Sequence, residues 1–480
     1  MMNSPDDSSQ SKPAQPAYET PELERPASAA PTEAQLDEQL PVSGHLGKRD
    51  PYAAWRYRDY RLYAIGGFIA AIGGQMQSVT IGYELAKRTP DPRAASMILG
   101  MVGLVQALPV ILLALPAGQM ADRFNRRRIV LGAQFVAMLG SLLLAFLSYH
   151  HSPLPMVYGC LLLISSAQAF GRPANSAMLQ QLVPPEAVSN AVTWNSTRWQ
   201  VASTVGPALF GPVLAMLHSP AFVYLIDAFC LFIFFCFMAV VKGRPQVRST
   251  EPASLAALLA GARFVWSSKL ILATLTLDLF AVLLGGAITL LPVYAEHILH
   301  VDETGLGWLR AAPALGALVM AMTLAHLPPM RRAGAALIWA VAGFGAATVV
   351  FGFSTNFWLS LGALALTGAF DNVSVLVRHS LVQLLTPDHM RGRVSAVNSV
   401  FIGASNELGS FESGVVARFF GPVFSVVAGG IGTIIVVIAT ALKWPEIRQL
   451  GTLESAARMG EAADETAAPI AKPQAAPSKA

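Results

Sequence analysis

Between residues 60 and 442 the chain returns repeatedly to apolar stretches of twenty residues or more, and that length decides most of what it can fold into. At about 1.5 Å rise per residue, roughly 20 apolar residues in a helix match the ~30 Å hydrocarbon core of a bilayer. Buried helices of soluble proteins seldom repeat that length many times over. Twelve spans can be placed, at 60–86, 95–119, 128–148, 154–178, 188–217, 220–241, 270–294, 304–327, 333–354, 357–382, 391–418 and 420–442. With 54% hydrophobic and 13% charged residues among 480, the chain reads as an all-α membrane protein of twelve transmembrane helices, embedded in a lipid bilayer.

The charges matter through their placement. Lys and Arg gather in alternate loops: Arg56, Arg58 and Arg61; Arg123 to Arg128; Lys242, Arg244 and Arg248; Arg331 and Arg332; Arg391 and Arg393; Lys443 and Arg448. Basic residues favour the cytoplasmic side of a membrane, so these loops and both termini are expected there, in a bacterial inner membrane. Lys87, Arg88 and Arg93 are the main basic residues of the opposite loops. A net charge of +4 spread in this way does not indicate a nucleic-acid partner. Cys160, Cys230 and Cys236 lie inside apolar segments without metal-ligand spacing, and no cofactor or metal is expected.

Five segments follow from composition. Residues 1–51, rich in Pro, Ala, Ser and acids, lack the basic start and apolar core of a signal peptide and read as a disordered cytoplasmic tail. Residues 52–241 make one six-helix bundle and 270–444 another. The linker 242–269 carries Leu255, Leu258, Leu259, Ala262, Val265 and Trp266 at helical spacing, as an amphipathic surface helix would. Residues 445–480 form a second, largely disordered cytoplasmic tail. The two bundles echo each other: Gln181, Pro185 and Glu186 return as Gln383, Pro387 and Asp388, each set joining the fourth span of its half to the fifth. A weaker echo links LGMVGLVQALP from Leu99 with LGWLRAAPALG from Leu306. Duplicated halves are a common way for transporters to hold a site between two bundles.

The segment PAGQMADRFNRRR, residues 116–128, is the densest cluster of charge between two spans. Topology alone accounts for its arginines, but acids contribute little to topology, and Asp122 stands four residues before Arg126, within reach on one helical turn. Here the chain resembles the major facilitator superfamily, whose loop between spans two and three reads Gly-x-Leu-Ala-Asp-Arg-x-Gly-Arg-Arg/Lys. Gly118, Ala121, Asp122, Arg123, Arg126 and Arg127 match it, while Met120 and Asn125 replace the Leu and the second Gly. The resemblance runs from about Tyr52 to Trp444 and implies the fold of that family, two pseudo-symmetric six-helix bundles. It also implies a conformational latch, in which Asp122 faces the start of span eleven near Arg391 and Gly392, a helix N-terminus favourable to an anion. Arg123 and Arg126 would hold that carboxylate. The corresponding loop of the second half keeps Arg331 and Arg332 but no acid, so the latch would be one-sided.

In span five, Gly206, Pro207 and Gly211 resemble the Gly-Pro-x-x-Gly-Gly pattern of antiporters in the superfamily, with Phe210 in place of the first paired glycine. Small residues there also serve close packing and a kink. From Leu381 to Gly414 the chain resembles the branch of bacterial exporters that includes the enterobactin exporter and related secretion effectors, which implies outward transport.

Ionisable residues inside spans are expensive and point to function. They are Arg172, Arg198, Asp227, Asp278, Arg310, Asp371, Arg378, Glu407 and Glu412. A proton-coupled exporter needs a carboxylate near the midplane that meets water from each side in turn. The depths of Asp278 and Glu407 make them the first candidates, with Asp371 a third. Asp371 and Arg378, two turns apart on one face, would join a neutralised structural network. Glu412, about 140° round the helix from Glu407 at 100° per residue, would face elsewhere. Asp227, nearer the outer end of span six, reads as an interfacial or hydrogen-bonded acid. Gln75, Gln77, Arg172, Asn195, Asn398 and Asn406 are candidates to line a substrate cavity; Arg172 there would attract an anion or pair with an acid. Trp194, Trp199 and Phe280 offer aromatic surface or packing.

These features lead to a secondary transporter that exports a small amphipathic molecule, drug-like or siderophore-like, by alternating access and as a proton antiporter, working as a monomer. A lysophospholipid flippase or an uncoupled uptake facilitator of the same fold is the alternative, and a non-transporting receptor or scaffold belongs to another class. No motif of an enzyme is present: there is no His-Glu-x-x-His, nucleophile elbow or phosphate-binding glycine loop.

Overall fold

The computed structural model describes residues 50–243, 255–328, 330–387 and 390–452. Twelve long helices follow in chain order: α1 Arg58–Lys87, α2 Pro92–Arg123, α3 Arg126–Tyr149, α4 Leu154–Leu182, α5 Pro185–Leu217, α6 Pro220–Val240, α7 Lys269–Leu284, α8 Glu303–His326, α9 Ala333–Phe353, α10 Phe357–Leu385, α11 Arg391–Phe420 and α12 Pro422–Lys443. Each matches an expected span, and a linker helix occupies Leu255–Ser267. Arg244, Arg248 and Asp388 lie outside the described residues.

Span seven departs from the expected continuous helix. It stops at Leu284, passes through a short 3-10 turn at Gly286–Ile288 and resumes as the helix Leu291–His297. The Gly285-Gly286 pair sits at the break, where two residues without side chains weaken helix propensity and let neighbouring backbone approach.

Eleven of the twelve spans pass as membrane-crossing by length and apolarity, with α7 and its continuation taken together. The exception, α11, carries Arg391, Arg393, Asn398, Asn406, Glu407, Glu412 and Arg418. An outer belt of exposed apolar side chains includes Leu112 (64%), Phe229 (62%), Trp339 (75%) and Ile435 (59%), each well inside its helix. So much exposed apolar surface suits lipid as the surrounding medium and is unlike a water-facing surface.

All connections alternate between two faces. The one that holds Arg123 to Arg128, Arg331, Arg332, Arg391 and Lys443 is called the basic face below, and the other the opposite face. In hydrocarbon, apolar burial does little to drive helices together, so small residues and specific contacts must do it. The two halves meet chiefly where α2 packs on α11 and α5 on α8. At the first seam a methyl group added to Gly414 would lie 2.5 Å from the Cα of Gly100, so the two backbones touch with no side chain between them. A cluster comprising Met76, Phe210 and Leu214 from one half and Leu291, Tyr294 and Leu309 from the other packs the halves together toward the opposite face.

The linker helix docks on the second half. Val265 packs with Val394 and Val397 of α11, while Leu259 and Trp266 point away from it. Its apolar residues therefore divide between a packed face and an exposed one, as an amphipathic helix requires.

Candidate functional site

A cavity of about 1710 Å³ lies between the halves, larger than the ~300–1,000 Å³ usual for drug-sized ligands. Its wall includes Gln383, Thr386, Arg391 and Gly392 at the basic-face ends of α10 and α11. Several specific cross-half contacts lie from the middle of the helices to the opposite face. Tyr83 donates to Glu303 at 2.6 Å, Lys87 approaches Glu303 at 3.6 Å, Arg418 pairs with Asp91 at 3.1 Å, and Gln200 donates to the Ala314 carbonyl at 2.8 Å. The cavity thus reaches the basic-face ends of α10 and α11, while these contacts join the halves toward the opposite face.

All six cavity candidates, Gln75, Gln77, Arg172, Asn195, Asn398 and Asn406, stand on this wall. Gln75 donates to Ser203 at 3.1 Å, and Asn406 to the Ile402 carbonyl at 2.8 Å. Arg172 meets Gln168 at 3.3 Å. Asn195 accepts from Arg198, whose guanidinium also reaches the carbonyls of Tyr63 and Ala64 and lies over the Tyr63 ring, tying α5 to α1. Trp199 lines the cavity, whereas Trp194 packs against Tyr52 and Trp55.

Among the acids, Glu407, Asp371, Asp278 and Asp227 border the cavity, and Glu407 lies within electrostatic reach of Arg172 and Arg310. Arg310, across on α8, meets Ser78 at 3.5 Å. Asp278 is buried in an ion pair with Arg378 that ties α7 to α10. The hydrogen-bonded carboxylate partner of Arg378 is thus Asp278, a hundred residues away, and Asp371, expected to share a network with Arg378, stands on the cavity wall within electrostatic reach of the pair. Glu412 accepts from Ser413 at 3.3 Å and is not among the residues lining the cavity.

The loop motif binds helix ends. Arg126 donates to the Ala121 carbonyl at 3.2 Å and to the Ala177 carbonyl at 3.3 Å, and Arg127 donates to the Met238 carbonyl at 3.1 Å and to Ala239. The last turns of α2 and α6 have carbonyls that lack helical partners, and the two arginines collect some of them, while Arg126 also reaches α4 at Ala177. Asn125, where the family pattern has glycine, caps α3 by accepting from the Arg128 amide at 3.3 Å. Gly118 and Asp122 are half-buried in the final turns of α2, Arg123 is exposed, and Arg391 opens α11 while donating to the Gln383 carbonyl at 3.3 Å. In α5, Gly206 lets α1 approach at Gln75, Gly211 admits the backbone of Thr304 at the start of α8, and Pro207 lines the cavity between them.

Sequence reasoning missed the opposite-face contacts. Lys87 and Arg88, exceptions to the basic-loop rule, have local acids: Lys87 meets Glu303, and Arg88 pairs with Glu84 at 2.5 Å. It also missed Gln134, Asn175 and Ser203 on the cavity wall, which are too ordinary in type and spacing to be singled out along one helix.

The profile of the family described as transmembrane secretion effector matches residues 49–469. The chain belongs to that family of major facilitator transporters. Its curated relatives include enterobactin exporter EntS of Citrobacter koseri, 25% identical over 391 residues, which cover 81% of this chain and 92% of that one. The protein of the same name from Shigella boydii is 24% identical with the same coverage. Among solved structures the transporter resembles a bacterial homologue of the iron transporter ferroportin in an inward-facing state, with TM-score 0.61, 16% identity and coverage of 80% and 98%. It also resembles the inward-open xylose transporter XylE of Escherichia coli, with TM-score 0.61, 13% identity and coverage of 84% and 98%. These likenesses show the fold: the protein is a multi-span membrane transporter of the major facilitator type.

Proposed function

We propose that this transporter exports a small amphipathic molecule, siderophore-like or drug-like, from the cytoplasm of a bacterium by alternating access coupled to proton antiport. The observation that carries the reading is the cavity: two helix bundles enclose a space that reaches the basic-face helix ends and line it from both halves with charged and amide groups. Taking the basic face as cytoplasmic, with both termini on that side, we read this conformation as the loading state of an exporter in the inner membrane. The names of the curated relatives support export of a siderophore-like molecule. A lining that mixes Arg172, Arg310 and Glu407 with Trp199 and several amides suits a ligand with both polar and apolar faces.

In the coupling step Glu407 serves as the exchanging carboxylate, with Asp371 as its alternate: both border the cavity, as Asp278 does, but neither is held in an ion pair among the described residues. Asp278 takes part only through its contact with Arg378. The latch of Asp122 and Arg391 holds the basic side shut in the other state, and the transporter works as a monomer.

The reading is tested in proteoliposomes that enclose a pH-sensitive dye, with siderophores and with cationic and neutral drugs offered as substrates to wild type, Glu407→Gln and Asp371→Asn. Proton movement that requires substrate and is lost in Glu407→Gln supports antiport. Substrate movement without proton flux, unchanged in both variants, would instead favour a flippase or facilitator of the same fold.

A further inference from the structure

Asp227 lies in the interior with no cation beside it among the described residues. Asp227, in the second turn of α6, is 1% exposed. Its Oδ2 accepts from Gln77 Nε2 of α1 at 3.0 Å and from the Ser141 hydroxyl of α3 at 2.6 Å. Gln77 also donates to Ser141 at 2.8 Å, which closes the three residues into one cluster. The other oxygen, Oδ1, is buried with no hydrogen-bond partner among the described residues.

The groups around it are neutral. From α1 it is faced by Gly73, so closely that an added methyl group would lie 2.8 Å from Oδ1, and from its own helix by Cys230 one turn on. The charged residue of α5 nearest the cluster in sequence depth, Arg198, lies at the level of Gly67 and is engaged with the Tyr63 and Ala64 carbonyls. Toward the opposite face, Glu84 accepts from Tyr224 at 2.8 Å and pairs with Arg88. The arginines of α3 are at its far, basic end. A carboxylate so enclosed is costly to keep charged, and a bound proton removes that cost.

The cluster is not sealed off. Asp227, Gln77 and Ser141 all border the cavity, and so do Gln134 and Asn175. Gln134 stands seven residues before Ser141 on α3, two turns nearer the basic face, and Asn175 lies at similar depth on α4. Gln134 Oε1 and Asn175 Oδ1 are likewise buried with no hydrogen-bond partner among the described residues. Together these groups make a polar row from Asp227 toward the basic-face mouth, where buried oxygens need hydrogen-bond donors to be satisfied.

We propose that Asp227, held by Gln77 and Ser141, is a proton-binding site of the N-terminal bundle that exchanges with the cavity through this row. A hydronium ion in the cavity gives its proton to Oδ1 and leaves as water, while Oδ2 keeps both donors; release reverses the step. The site is separate from the Glu407 and Asp371 carboxylates. Only its consequence for transport rests on the exporter reading, since the titration itself needs no substrate.

The test is a pH titration of the purified transporter in lipid, read by infrared difference spectroscopy in the carboxylic-acid C=O region, without substrate. The expected result is that one titrating band of wild type is absent in Asp227→Asn and present at a changed frequency in both Ser141→Ala and Gln77→Leu. These last two variants retain the carboxyl and decide the matter if Asp227→Asn does not fold, as judged by gel filtration and thermal melting. An unchanged band in Asp227→Asn, or bands unmoved in both partner variants, overturns the proposal. In proteoliposomes, Asp227→Asn is expected to carry one proton fewer per substrate. If wild type moves no protons at all, the antiport reading fails while the infrared result still stands or falls alone.

Discussion

Each half buries one acid, and the two are held in different ways. In the second half Asp278 meets Arg378, so that two charges cancel inside the protein. In the first half Asp227 meets an amide and a hydroxyl, and nothing cancels its charge. Equal burial therefore does not imply equal chemistry. A paired acid fastens two helices and is expensive to separate from its partner, whereas an acid held by neutral donors can change its protonation without disturbing a counter-ion.

The comparison is tested first where it predicts the largest difference. Replacing Arg378 by Met should destabilise the transporter by about 3–5 kcal/mol, because Asp278 is left buried and uncompensated. Adding Asp278→Leu in the same chain should restore most of the loss, as measured by thermal or denaturant unfolding in detergent. If the double variant is no better than the single one, the pair is not the reason for the loss. A smaller effect is expected at the first-half cluster: Ser141→Ala should cost about 1–3 kcal/mol, the usual consequence of removing one donor from a buried acceptor. The smallest change belongs to Asp227→Asn, which retains an acceptor oxygen for Ser141 and should alter stability by less than about 1 kcal/mol. Should it cost as much as Arg378→Met, the two acids would prove to be structural in the same sense.

The fold was readable in advance because bilayer thickness sets helix length, and helix length can be counted along the chain. Each helix except the seventh runs within a few residues of its expected span. The interruption of the seventh had a visible signal in Gly285-Gly286, but those glycines stand inside an otherwise apolar run whose length alone suggested a continuous helix. The cavity lining was readable for a related reason: amides inside an apolar span are costly against lipid, so Gln75, Gln77, Asn195, Asn398 and Asn406 had to face inward. Pairing was not readable. Spacing along one helix places Asp371 and Arg378 on a common face, but it carries no information about Asp278, which reaches Arg378 only once α7 and α10 have packed. The same limit hid the cluster of Gln77, Ser141 and Asp227, whose members come from three helices, and the opposite-face contacts of Glu303 and Asp91.

The contact between Gly100 and Gly414 has a mechanical consequence. Interlocked side chains would oblige α2 and α11 to disengage before the bundles could tilt, and each disengagement would add a barrier. Two bare backbones laid against each other have nothing to unlock. If the bundles alternate as proposed, the two backbones could roll or part over a short distance while the rest of each bundle keeps its own packing, and the seam would serve as a bearing for that motion. A bulky residue at Gly414 would jam that bearing even where it left both bundles folded.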